Sequence, residues 1–328
     1  MFSIGLTKND MRLLITGGAG FIGSNFIRHI LTKYPDYKII NLDKLTYAGN
    51  PENLRDVEKN KNYAFIKGDI NDTKLVEKIL APCDSLINFA AATHVDRSIK
   101  DASDFIRANI QGTYSLLEAA RHKKLKLFLQ ISTDEVYGSI LEGKSREKDP
   151  LEPNSPYSAS KASADHLVRS YHITYKLPTI ITRSSNNFGP YQYPEKAIPL
   201  FVTNLLEEKK IPLYGDGLNC RDWIFVLDNC RAIDTVMHKG KTGEIYNIAT
   251  ESEIPNILLV KKILSLTRKP ASLIKYVPDR PGHDRRYALN CAKLRNLGWQ
   301  KEFKLGPALK ITIDWYKNNQ SWWKKLKK

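Results

Sequence analysis

Through its first 190 residues the chain alternates short apolar runs with longer segments whose apolar positions recur at helical spacing. Arg12-Leu13-Leu14-Ile15 reads as a first strand, an amphipathic helix follows to about Lys33, and Lys38-Ile39-Ile40-Asn41-Leu42 reads as the second strand. Residues 63–68 and 84–91 are the next two strands. A helix over about 105–123 then leads to Leu127-Phe128-Leu129-Gln130-Ile131, which has the length and composition of a strand buried on both faces. Thr179-Ile180-Ile181-Thr182-Arg183 follows a helix entered through Pro156. Alternation of this kind predicts an α/β fold built on a doubly wound parallel sheet. Beyond Pro190 the pattern loosens into Gly-, Pro- and aromatic-rich stretches at 191–196, 213–217 and 279–286, expected to form a smaller mixed α/β part that receives substrate. The expected division is 11–190, with a segment near 222–250 returning to it, against 191–328; residues 1–10 read as an extension.

Composition narrows the function classes. With 328 residues, 42% of them apolar, the chain can bury a substantial core. No run approaches the roughly 18 apolar residues of a membrane span, and the first ten positions lack the basic start and apolar centre of a signal peptide, so a cytoplasmic protein with no membrane partner is expected. Cys83, Cys220, Cys230 and Cys291 have neither CxxC spacing nor a histidine at metal-ligand spacing, and no metal site is expected. The net charge of +16 raises polyanions as partners. The cations are spread along the chain, apart from a cluster at 322–328, and no DNA- or RNA-binding motif accompanies them, so no nucleic-acid partner is expected.

Two stretches carry chemistry. Thr16-Gly17-Gly18-Ala19-Gly20-Phe21-Ile22-Gly23 places G-x-x-G-x-x-G between a strand and a helix. Gly17 allows the tight turn, Gly20 the approach of backbone to a pyrophosphate and Gly23 the packing of helix on strand, the signature of a Rossmann-type dinucleotide site. The second strand ends at Asp43, 20 residues past Gly23. A carboxylate there accepts from the adenosine ribose hydroxyls and repels a 2′-phosphate, which favours NAD over NADP, a preference slightly weakened by Lys44 beside it.

The second stretch is Ser132-Thr133-Asp134-Glu135-Val136-Tyr137-Gly138, at the carboxyl end of the 127–131 run, where open α/β sheets hold their ligands. A capping hydroxyl followed by acids is also an ordinary helix start. Tyr157 and Lys161 lie 24 and 28 residues after Thr133, one helical turn apart on one face, so the ammonium can favour the phenolate. Arg221, Arg280 and Lys196 fall in loops, suited to phosphate oxygens and equally to surface ion pairs.

These motifs resemble those of the dTDP-glucose 4,6-dehydratases of the extended short-chain dehydrogenase/reductase family, from Met11 nearly to the end of the chain. The glycine loop and Tyr-x-x-x-Lys pair mark only the broad family. The adjacent Asp134-Glu135, His94-Val95-Asp96-Arg97-Ser98, the run from Asn186 to Lys196, Arg221-Asp222-Trp223 and Asp279-Arg280-Pro281-Gly282-His283 are similar to the dehydratases in particular. The resemblance implies that Tyr157, supported by Lys161, takes the C4 hydroxyl proton held by Thr133, while hydride passes to NAD. Glu135 then removes the C5 proton, protonated Asp134 releases the C6 hydroxyl as water, and the hydride returns to C6. Such opposite tasks require the pKa values of Asp134 and Glu135 to be pushed apart, and Tyr157 is expected to have a lowered one.

The resemblance also implies a cofactor set of Gly17, Gly20, Phe21, Ile22, Gly23, Asp43, Lys44, Leu45, Thr46, Asp69, Ile70, Phe89, Ala90, Ala91, Thr93 and Asn187 with Tyr157 and Lys161. The substrate set is His94, Thr133, Asn186, Glu195, Lys196, Ala197, Pro212, Tyr214, Arg221, Asn256, Asp279, Arg280 and His283. A homodimer is implied, its helices near 113–121 and 157–175 pairing with their symmetry mates. One departure stands out: Ala92 and Thr93 occupy positions where the family commonly has Glu and Ser. UDP-glucose as the substrate, a sugar-nucleotide 4-epimerase, and a silent NAD-binding module whose basic surface holds a polyanion are the alternatives. Asp134 and Glu135 have no use in the second or third.

Overall fold

The computed structural model describes residues 10–327, so all of the expected 1–10 extension except Asp10 lies outside the described residues. Six strands arise in the order read from the sequence: β1 (Arg12–Thr16), β2 (Lys38–Asp43), β3 (Tyr63–Lys67), β4 (Ser85–Asn88), β5 (Leu127–Thr133) and β6 (Thr179–Ser184). A seventh, Ile245–Ile248, joins them in a sheet ordered Ile245–Ile248, β6, β5, β4, β1, β2, β3, with every neighbouring pair parallel. β4, β5 and β6 are buried at every position, because helices cover both faces. β3, at the edge, is buried at none.

The order reverses between β1 and β4, and the carboxyl ends of these strands flank the crevice in which doubly wound sheets hold ligands. Two core clusters line the sheet. One gathers Leu13, Ile15, Ile27, Ile87 and Leu129 with Ile233 and Val236; the other gathers Leu14, Leu86, Phe128 and Ile181 with Leu116 and Val168. A separate cluster is built from Phe188, Ile198, Phe201, Ile211, Leu259, Leu309 and Trp323. The chain leaves the sheet after β6, enters this second core, and returns through helix Val226–Lys239 and strand Ile245–Ile248.

Two elements differ from the sequence reading. The expected strand over 84–91 stops at Asn88, since Phe89 still bonds Thr16 O but Ala90 and Ala91 turn along the crevice. The expected helix over 105–123 contains a π-helical stretch, Ile106–Gln111, before regular helix resumes at Gly112–Lys123. Such bulges leave no mark in apolar spacing. No helix among the described residues is long and apolar enough to cross a membrane.

Candidate active site

The turn after β1 is shaped by close approach. Gly17 has φ +69°, and a Cβ there would lie 2.5 Å from Ala90 N; at Gly23 it would lie 2.6 Å from Gly17 O. At Gly20 the nearest such atom is at 3.2 Å. Helix α1 (Phe21–Lys33) starts from Gly20 with no side chain capping it, so the amides of its first turn face the crevice unclaimed. Ala19 N donates to Asp43 Oδ2 at 2.9 Å, Leu45 N to Asp43 Oδ1 at 2.8 Å, and Gly18 N to Asn41 Oδ1 at 3.0 Å. Burial raises the Asp43 pKa, opposed by the amides of Leu45 and Ala19, and each carboxylate oxygen keeps a lone pair for a ribose hydroxyl. Lys44 is paired with Asp69 at 2.7 Å.

Across the crevice, Thr133 ends β5 and caps the turn Asp134–Tyr137: Glu135 N donates to Thr133 Oγ1 at 3.3 Å, and Thr133 Oγ1 to Asp134 Oδ1 at 3.3 Å. The ordinary capping reading of these residues is thereby met. Asp134 is 3% exposed, and its Oδ2 has no hydrogen-bond partner. Burial and then the Glu135 charge raise its pKa well above the usual carboxylate range. Burial raises Glu135 as well, but the charges of Arg280, Arg221 and Lys196 oppose the rise. The surroundings therefore favour the protonated form at Asp134 more strongly than at Glu135.

Tyr157 stands in the first turn of helix Pro156–Tyr175, whose start is fixed by a capping box between Ser155 and Ser158. Ser98 Oγ accepts from Tyr157 N at 3.1 Å, and Phe105 meets the ring edge-on at 6.2 Å between centroids. The expected lowering of the Tyr157 pKa is not found in the protein alone: burial, followed by the Glu135 charge, raises it well above 10. Lys161 gives no relief, because its Nζ donates to Ile131 O at 2.6 Å, and its own pKa is lowered by burial to about 8.

Both halves open into one cavity of about 700 Å³, within the range of small-molecule sites. Of the expected cofactor residues, all but Leu45 line it, as do Thr133, Asp134, Glu135, Asn186, Glu195 and Lys196. Lys196 Nζ donates to Thr93 O at 2.8 Å, and Glu195 pairs with Arg97 at 2.9 Å and His94 at 3.8 Å. Ala92 also lines the cavity, packed against the group formed by Val95, Phe105 and Tyr157, so the departure makes the wall beside the phenol less polar.

Tyr214, Asp279, Arg280 and His283 form a second group around Asp96: Arg280 lies 3.3 Å from one Asp96 oxygen, Tyr214 OH 3.3 Å from the other, and His283 2.5 Å from Asp279. Pro212 lies on strand Ile211–Tyr214, Asn256 starts helix Asn256–Thr267 with an unpartnered Oδ1, and Ala197 starts helix Ala197–Leu206. The Arg221 guanidinium donates to Cys220 O and Asp284 O at 2.7 and 2.8 Å and lies over the Tyr287 ring.

Sequence reasoning missed Tyr47 and Arg97 as cavity residues, with the Arg97 guanidinium 4.1 Å from the Tyr47 ring centroid. It also missed the buried support of the acidic turn. Arg183 bonds Asp165 at 2.9 Å and Tyr137 OH at 2.8 Å, and Tyr137 OH donates to Asn247 at 2.9 Å. Only the place of Tyr137 within the acidic motif hinted at this.

The family model described as GDP-mannose 4,6 dehydratase matches residues 14–312. A dTDP-glucose 4,6-dehydratase of Streptomyces niveus is 47% identical, covering 97% of this chain and 96% of its own. The low-salt glycan biosynthesis protein Agl12 of Haloferax volcanii is 49% identical, over 93% of this chain and 98% of its own. The structure of DesIV, a dTDP-glucose 4,6-dehydratase from Streptomyces venezuelae solved with NAD bound, superposes with a TM-score of 0.95 at 48% identity, covering 97% of this chain and 100% of that one. A family match that runs from β1 into the last helices, joined to near-half identity along whole chains, places this protein in the nucleotide-sugar 4,6-dehydratase family, alongside the dTDP-glucose 4,6-dehydratases.

Proposed function

We propose that the chain is an NAD-dependent lyase that converts dTDP-glucose to dTDP-4-keto-6-deoxyglucose and water, a step of deoxysugar synthesis. The observation that carries this reading is the placement of a buried Asp134, whose pKa burial raises, beside Glu135 and Tyr157 in the same cavity as the glycine-rich turn. The uncapped start of α1, the open side of Gly20 and the free lone pairs of Asp43 fit a dinucleotide. Residues 11–190, with the returning 222–250 segment, hold the cofactor, and 191–328 mainly receive the sugar nucleotide.

Bound NAD supplies a hydride acceptor at C4, a hydride donor at C6 and a positive ring that lowers the Tyr157 phenol. Tyr157 takes the C4 hydroxyl proton while Thr133 holds that oxygen. Once C4 is a ketone, the C5 proton is acidic enough for Glu135 to remove. The C6–O bond breaks as Asp134 passes its proton to the departing hydroxyl, and Glu135 later returns a proton to C5. Each turnover leaves one proton on Tyr157 and takes one from Asp134. Thr133, hydrogen-bonded to both side chains, is the route that restores them.

The test is incubation of purified protein with dTDP-glucose or UDP-glucose, without added NAD. The 4-keto-6-deoxy product is expected from the dTDP sugar with retained cofactor, and turnover of the UDP sugar alone would sink the base assignment. Asp134→Asn is expected to lower dehydration by about 10²-fold or more, a change to which a 4-epimerase would be indifferent. Burial lowers the Lys161 pKa to about 8, so its charge is lost as the pH rises through that region. Affinity for NAD is therefore expected to fall as the pH rises through about 8, in a titration of cofactor-stripped protein, with the fall absent in Lys161→Met.

A homodimer is supported by Tyr114, Ile173 and Tyr175, large apolar side chains exposed on helices Gly112–Lys123 and Pro156–Tyr175, which are the two expected to pair. All four cysteines are unpaired, which supports a reducing, cytoplasmic setting.

A further inference from the structure

We infer that Trp322, on the C-terminal helix Gln320–Leu326, is a positioning residue for the cofactor, holding the glycine-rich turn in place through Asn53. The inference rests on the reading that the protein retains NAD. The indole Nε1 of Trp322 donates to Asn53 Oδ1 at 3.0 Å, a contact between residues 269 apart in the chain. Asn53 is 1% exposed, and its Nδ2 donates in turn to Ala19 O at 2.8 Å. The same carbonyl accepts from Asn50 N at 3.0 Å, while Ala19 N donates to Asp43. The Ala19 peptide is thus gripped on both sides, immediately before the uncapped start of α1 where the pyrophosphate is expected.

A second line of contacts runs in parallel. The Trp322 ring meets Tyr191 at 6.1 Å between centroids, and the Arg28 guanidinium lies 4.1 Å from the centroid of the same Tyr191 ring while donating to Asn53 O. Tyr191 sits at φ +68°, next to Gln192, which lines the cavity and donates to Asn187 O at 2.8 Å. Trp322 therefore ties the cofactor turn to the substrate-side loop. A cofactor that is reduced and reoxidised within one turnover must not leave between the two events. A turn already held in its binding conformation slows its release.

The residue types suit the task. Both Trp322 and Asn53 are buried, so the indole N–H cannot exchange Asn53 Oδ1 for water, and losing this donor strands the acceptor. Lys325, also on the helix, makes only an exposed pair with Glu52 at 3.0 Å and serves as a control.

The test compares wild type, Trp322→Phe, Asn53→Asp, the double variant and Lys325→Ala for NAD content as purified and for the rate of cofactor release. Trp322→Phe keeps an aromatic ring and removes the donor, and is expected to release NAD about tenfold faster. Saturating NAD should restore its turnover number. Asn53→Asp keeps an acceptor for Trp322 but removes the donor to Ala19, and should give the same effect even if Trp322→Phe does not fold. The double variant should be no worse than the more severe single, since both break one chain of contacts. Lys325→Ala should match wild type. Release at the wild-type rate from both Trp322→Phe and Asn53→Asp overturns the inference, as does a loss of turnover that added NAD does not repair. Wild-type protein that neither carries nor binds NAD overturns the cofactor reading instead.

Discussion

Glu135→Gln is expected to abolish dehydration while leaving C4 oxidation in place. Glutamine keeps the shape of the side chain and cannot accept the C5 proton, so product formation should fall by roughly 10³-fold. The chain should still fold, because a neutral amide is easier to bury than a carboxylate whose pKa burial already raises. The trapped sugar should be the 4-keto hexose that retains its C6 hydroxyl and, in substrate deuterated at C5, its label. Mass analysis of the quenched reaction reads both. Release of the C5 label at the wild-type rate would assign the base to another residue, and Glu195 is the carboxylate to examine next, since it lines the same cavity.

Tyr157→Phe should stop the reaction one step earlier. Without the phenol no group takes the C4 hydroxyl proton, and oxidation is expected to slow by about 10²–10⁴-fold. The two variants separate in one measurement. Mixed with dTDP-glucose, Glu135→Gln should develop the absorbance of reduced nicotinamide, whereas Tyr157→Phe should not. The ring contact with Phe105 survives the change and only the hydroxyl's bond to Thr133 is lost, about 1 kcal/mol, so the melting temperature should fall by no more than a few degrees. A reduced cofactor appearing at the wild-type rate in Tyr157→Phe would show that the phenol is not the proton acceptor.

Much of the sheet was legible because its strands are buried on both faces and stand out as continuous apolar runs. β1, β2, β5 and β6 each fall within a residue or two of the reading. The short pairings of the second core, such as Ile211–Tyr214 with Ile274–Val277, were not legible, since each gains its meaning from a partner far along the chain. In the site, the glycines and Asp43 could be read from their spacing after a strand. Tyr47 and Arg97 could not, because what places them is the return of the 187–196 loop over the crevice.

Local pattern alone determined the doubly wound sheet, the dinucleotide turn and the residue types that meet at the ends of β4 and β5, since backbone period, glycine placement and strand ends are properties of neighbouring positions. Tertiary structure decided how the pKa values of the site's carboxyls are shifted. Burial and then Glu135 raise the Asp134 pKa well above the usual carboxylate range, while the rise at Glu135 is opposed by Arg280, Arg221 and Lys196, two of them from beyond residue 220. It also set the Arg221 guanidinium against the carbonyls of Cys220 and Asp284 and brought Trp322 to Asn53. Desolvation and Coulomb interactions depend on distance in space, and only the folded chain sets those distances.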